Sequence, residues 1–128
     1  MEKIVTPEEK AAYIKSELRN FCGTETWFRH ELFRKYLYTE GVQFLAEAAS
    51  SYWLIDMIFM FQRDQQAVRD EFFQTWDLTV GENKTATLTC GDGNDNIVFT
   101  HSLTFTTFPL ESIRLFFTDN VLLLPSEW

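Results

Sequence analysis

The spacing of apolar residues changes once along this chain, and that change limits the folds open to it. Up to about residue 64 apolar side chains recur every three to four positions, the spacing of one helix face. From Phe72 onward they recur every second position, as on a strand with one face buried. Helices placed before strands, rather than alternating with them, predict an α+β domain. The expected architecture is a helical part over about 6–64, packed on one face of a four- to five-stranded antiparallel meander over about 72–125. The 128 residues fit a single domain. With 13 Phe and 4 Trp they can supply its core without metal or disulfide.

The helical part opens with a capping signal: Thr6, then Pro7 at the first helical position, then Glu9 three residues after the cap. Ala11, Tyr13, Ile14, Leu18 and Phe21 continue at helical spacing, and Gly23 is the expected stop. The stretch from Thr24 to Thr39 reads as a short helix on the spacing of Phe28, Leu32, Phe33 and Tyr36, while the bulk of Trp27 to Tyr38 also suits a partly extended segment. Thr39-Glu40-Gly41 breaks the chain and caps the next helix, and Ser50-Ser51 either divides that helix from another running from Tyr52 to Phe61 or bends one longer helix. This last helix holds Asp56 in an otherwise apolar run. A buried charge is costly unless paired, so Asp56 must face water on a narrow stripe or have a dedicated partner.

In the sheet part, Trp76, Leu78 and Val80 share one parity, as do Ala86, Leu88 and Cys90, while threonines take the other. Gly91 to Asn96 reads as a hairpin loop and Asp119-Asn120 as a two-residue turn. Ile97, Phe99, Leu103 and Phe105 are expected to face the core, with His101 the odd member of that row.

Motifs for chemistry are sparse. His30, His101, Cys22 and Cys90 do not stand at metal-ligand spacing, and no metal or cofactor is expected. The hairpin loop has the composition of part of a calcium loop, but strands flank it and its twelfth position is Ser102. No nucleophile motif surrounds either cysteine, and both are expected to be reduced thiols. The N-terminus lacks the apolar segment of a secretory signal, and no apolar run is long enough to span a bilayer, so a cytoplasmic protein is expected.

The net charge of −8 is uneven: residues 70–128 carry nine acids against Lys84 and Arg114 alone. Direct nucleic-acid binding, which needs a basic face, is therefore not expected. The acidic sheet half instead suits a basic protein partner, with Glu82, Asp92, Asp95 and Asp119 as its contact residues. The threonine face also allows a homodimer through the sheet. The alternative is a small-ligand site or an enzyme pocket between helices and sheet, built from Asp56, His101, Trp53 and Arg29. In that arrangement His101, facing Asp56 or Glu47, would move protons and Arg29 would hold an anion. Arg29, His30 and Glu31 form a dense ionisable trio, and Tyr36, Tyr38, Tyr52 and Trp53 supply polar-tipped aromatics nearby.

LYTEGVQFLAEAASSYWLIDMI, FQTWDLTV, TATLTCGDGN and the ending TDNVLLLPSEW together resemble a family of small bacterial proteins of unknown function, carried on plasmids and phages as well as chromosomes. The likeness covers most of the stretch from Phe21 to Trp128 in the same order. Members often have Asp in place of Glu40 and a Gly-Ala pair near Ser50-Ser51. The resemblance implies a bacterial or mobile-element origin and a cytoplasmic setting, and supplies no catalytic residues. Together with the charge layout it gives the expected function: a non-enzymatic, acidic protein-binding module, such as an inhibitor of a nucleic-acid-targeting host defence protein.

Overall fold

In the computed structural model, which describes residues 6–23 and 26–128, helices and strands assemble around one sheet. The four helices are α1 (Pro7–Leu18), α2 (Glu40–Ala48), α3 (Tyr52–Asp64) and the short α4 (Gln66–Arg69). The strands are β1 (Trp27–Arg29), β2 (Leu37–Thr39), β3 (Phe73–Val80), β4 (Ala86–Gly91), β5 (Ile97–Leu103), β6 (Ser112–Thr118) and β7 (Val121–Leu123). Among the described residues the chain is thus α+β, as its spacing predicts.

The sheet itself departs from the expected meander. It has seven strands in the order β1-β2-β7-β6-β3-β4-β5, and it is mixed, because β2 runs parallel to β7. The two extra strands come from the stretch read as a short helix. Its bulky residues form a hairpin instead, pairing Trp27 with Thr39 and Arg29 with Leu37. Local spacing there was compatible with either form. The unpaired edge of β7 decides, since Leu37 and Tyr38 align with Val121 and Leu122 and fill its hydrogen bonds.

Capping reads through from sequence to structure. Thr6 Oγ1 accepts the Glu9 N–H at 3.0 Å, and Thr39 Oγ1 accepts that of Val42 at 3.2 Å. α1 ends at Leu18, before Gly23, which lies beyond it with φ +69°. Ser50, at φ 52°, breaks the chain between α2 and α3. At the β6–β7 turn both Asp119 and Asn120 have positive φ, 52° and 64°, as a tight hairpin requires.

Helices cover one sheet face. Phe59 and Phe61 of α3 reach down to Phe117 and Trp76, with ring centroids 5.9 and 6.2 Å apart. Trp76, Leu78, Leu88, Cys90, Leu115 and Leu122 form the sheet's share of the core. A buried amide network crosses the same layer: Gln62 and Gln74 exchange two hydrogen bonds, at 2.7 and 2.9 Å, and the Trp76 indole donates to Gln74. Thr79, Thr85, Thr87 and Thr100 lie exposed on the other face, crossed by the Asp77–Arg114 ion pair. Two residues expected in the core are exposed. Ile97 sits at a β-bulge where the β4–β5 register slips beside Gly91, which turns it outward. Phe105 lies past the end of β5, where the alternation stops, and Thr106 is buried in its place.

The N-terminal helical part and the C-terminus are tied together at one point. The Glu127 carboxylate, 8% exposed, accepts hydrogen bonds from the Thr39 hydroxyl at 2.6 Å, the Leu124 N–H at 2.9 Å and the Gly41 N–H at 3.3 Å. A Cβ on Gly41 would stand 2.6 Å from both Glu127 Oε1 and Leu124 Cδ1, so the close approach requires glycine there. Two of the stretches that carry the family resemblance, Tyr38 to Val42 and Leu122 to Glu127, meet in this contact.

Candidate functional site

A concavity lies on the outer side of α3, a groove of about 890 Å³. Its floor is the stripe of α3 that turns away from the sheet: Trp53, Asp56, Met57, Met60 and Arg63. One wall is the β1–β2 loop, through His30, Glu31, Leu32 and Phe33; the other is Tyr38, Glu47 and Tyr52. The β1–β2 hairpin brings its loop beside α3, which explains why a groove forms here rather than a flat helix surface.

His30 closes the loop and orients Asp56. Its Nδ1 accepts the N–H groups of Leu32 and Phe33 at 3.1 and 3.0 Å. Two donors on Nδ1 put the ring proton on Nε2, which donates to Asp56 Oδ1 at 2.6 Å. The imidazole is largely covered, its ring against Phe33 and Phe59, while the Asp56 side chain is 62% exposed. Both sequence alternatives for Asp56 therefore hold at once: it faces water, and it has a dedicated partner. The same geometry withholds His30 from proton abstraction, since its one acceptor lone pair is already engaged with two backbone donors.

Three carboxylates meet on this groove: Glu31, Glu47 and Asp56. The Tyr52 hydroxyl donates to Glu47 at 2.9 Å, and burial followed by that hydrogen bond pushes the phenol up to about 12. Burial, then the negative charges of Glu31, Asp56 and Glu47, also raise the Tyr38 phenol above its ordinary range. Arg63 is the base among the described lining residues. It is committed to Asp64 through contacts at 2.7 and 3.1 Å, with its guanidinium over the Phe33 ring. Glu31, Glu47 and Asp56 have no lysine or arginine partner among the described residues.

The residues singled out in the sequence fall in different places. Asp56 and Trp53 line the groove; His101 and Arg29 do not. His101 lies on the edge strand β5, half-buried with its ring 5.2 Å from Phe61, on the sheet side of α3. The Arg29 guanidinium bonds the Arg34 carbonyl and braces the loop. The acids proposed as one interface are also divided. Asp92, Asp95 and Asp119 stand at the end of the sheet where Phe73 begins β3, and Glu82 stands at the opposite end, past Val80. Asp92 is moreover occupied as a turn residue, accepting the Asn94 N–H at 2.7 Å and the Asn96 side-chain amide at 2.9 Å. Those hydrogen bonds hold its carboxyl below the usual range. The sequence marked Glu31 in the trio with Arg29 and His30, and Glu47 as an alternative partner of His101, but nothing local marks these two surface glutamates of different elements as neighbours of each other on one groove.

Among the described residues no group of histidines, cysteines and acids is placed to hold a metal ion. No helix of the described residues is long and apolar enough to cross a membrane. Cys22 and Cys90 are free thiols, and burial pushes Cys90 up to about 12.

The profile of a family of unknown function, DUF6876, matches residues 12–128. The chain belongs to DUF6876. No curated protein and no solved structure matches it. The DUF6876 match takes in the whole groove and the Glu127 contact, and it begins inside α1.

Proposed function

We propose that this DUF6876 protein is a non-enzymatic binding module that receives cationic side chains of a partner protein in the α3 groove. The observation that carries this reading is the convergence of Glu31, Glu47 and Asp56, without lysine or arginine partners among the described residues, on a groove floored by Trp53, Met57 and Met60. Aromatic faces beside carboxylates attract guanidinium and ammonium groups through both charge and ring quadrupole. The His30 hydrogen bond holds Asp56 in one orientation, which reduces the ordering cost of binding. The resemblance to plasmid- and phage-borne proteins supports a bacterial cytoplasmic setting. In that setting a host protein with a basic, nucleic-acid-binding surface is the partner, and occupying that surface inhibits it.

The test compares two variants that each remove three negative charges. Glu31→Gln, Glu47→Gln and Asp56→Asn empty the groove of carboxylates; Glu82→Gln, Asp95→Asn and Asp119→Asn remove acids from the sheet ends. Binding of a fluorescent oligo-arginine peptide is followed by anisotropy. The groove variant is expected to lose roughly tenfold or more in affinity, and the sheet variant to change little. Equal losses would show attraction to net charge alone and would remove the groove from the reading.

A further inference from the structure

We propose that the occupant of the groove is an amphipathic helix of the partner, laid along α3 with its basic residues turned toward Glu31, Glu47 and Asp56. This inference rests on the proposed function and specifies its ligand. It starts from the two-sidedness of α3. Leu54, Ile55, Ile58 and Phe59 are buried on its inner side. On its outer side Trp53, Met57 and Met60, spaced by four and then three residues, are only half-buried. A helix apolar on both sides is ordinarily enclosed on both. Here the inner side has the sheet, and the outer stripe faces the open groove.

Three features select a helix over other occupants. First, Trp53, Met57 and Met60 form a ridge of the kind another helix packs against, and two methionines give a surface that adapts to its partner. Second, α3 has 13 residues, about 20 Å of helix. Trp53 also borders a second hollow, of about 200 Å³, with Leu103, Phe105 and Thr107, besides the groove of about 890 Å³. A single small cation would cover a fraction of it. Third, an extended peptide binds by pairing with free main-chain groups, and the wall offers few. The N–H groups of Leu32 and Phe33 are already taken by His30. The charge pattern then sets the helix's polar side, with lysine or arginine flanking its apolar stripe.

Met57 and Met60 supply the readout. The sequence has three methionines, so protein labelled at the methionine methyl groups gives two reporters inside the groove and Met1 as the third signal. Three probes are titrated: a leucine–lysine peptide of about four turns patterned for a helix, a peptide of the same composition with strict alternation, and N-acetyl-arginine amide. The helical pattern is expected to shift both groove signals saturably, roughly tenfold more tightly than either other probe. Equal binding of the alternating peptide or the small cation would overturn the helical occupant and leave the cationic groove standing. Tight binding that the Glu31, Glu47 and Asp56 triple variant does not weaken would overturn both. Methyl signals that no probe moves would overturn the inference, and the oligo-arginine comparison would then decide the groove separately.

Discussion

Replacing Glu127 by alanine removes the acceptor of three donors at once: the Thr39 hydroxyl, the Gly41 N–H and the Leu124 N–H. Hydrogen bonds to a charged group contribute about 1.5–3 kcal/mol each. The full sum overstates the loss, because the cost of desolvating the carboxylate on folding disappears with it. Leaving a buried donor unpaired costs about 1–3 kcal/mol. We expect about 3 kcal/mol, since Glu127 lies near the chain end and water can reach the vacated site. For a domain of this size that lowers Tm by roughly 10 °C. Glu127→Gln keeps one carbonyl oxygen where Oε1 accepts from Thr39 and Leu124, so it should cost about 1–2 kcal/mol. Gly41→Ala attacks the same contact sterically and should cost about 1–3 kcal/mol. Combined with Glu127→Ala its effect should fall well short of additive, because the clashing carboxylate is gone. Urea denaturation followed by tryptophan fluorescence measures all four proteins. A loss below about 1 kcal/mol for Glu127→Ala, or strict additivity with Gly41→Ala, would refute this account of what joins the two ends of the chain.

Gln74→Leu should cost about 3–5 kcal/mol, because it strands the Gln62 amide, the Trp76 indole N–H and the Glu71 carbonyl; Gln62→Leu should cost distinctly less in the same unfolding assay, and the reverse order would contradict the network. Nitrogen-15 NMR of the imidazole should find His30 with its proton on Nε2, and a proton on Nδ1 would mean the loop is not closed as described. Tyr52 and Cys90 both have folded-state values pushed up to about 12 from ordinary values of 10.0 and 9.0. Their contribution to stability is therefore complete below about pH 9 and lost as pH rises toward about 12. Thermal melts should show that alkaline decline, and Glu47→Gln should move the Tyr52 phenol back toward its ordinary range in an ultraviolet titration. An unchanged Tyr52 titration in that variant would exclude the hydrogen bond as a cause.

The sequence by itself determined the class of fold, and did so through local rules. A change from helical to alternating spacing near Phe72 separates helices from strands, because each element must bury one stripe or one face. Thr6, Thr39 and Ser50-Ser51 mark where helices begin and break, and Asp119-Asn120 marks a tight turn, because caps and turns are satisfied within a few residues. It also showed that Asp56 needed an explanation. Tertiary structure alone supplied the partner, since His30 is 26 positions away and reaches Asp56 only once the β1–β2 hairpin has formed. That hairpin is itself a tertiary decision: residues 27–38 suit helix or strand locally, and the open edge of β7 selects strand. Net charge could not place an acidic surface for a related reason. A sum along the chain has no position in space, and folding sends Glu82 and Asp119 to opposite ends of the sheet. Meanwhile it gathers Glu31, Glu47 and Asp56, from the more evenly charged half, onto one groove. Spacing and capping act within a few residues and can be read in order. Neighbours from separate elements are set by packing, which no local pattern encodes.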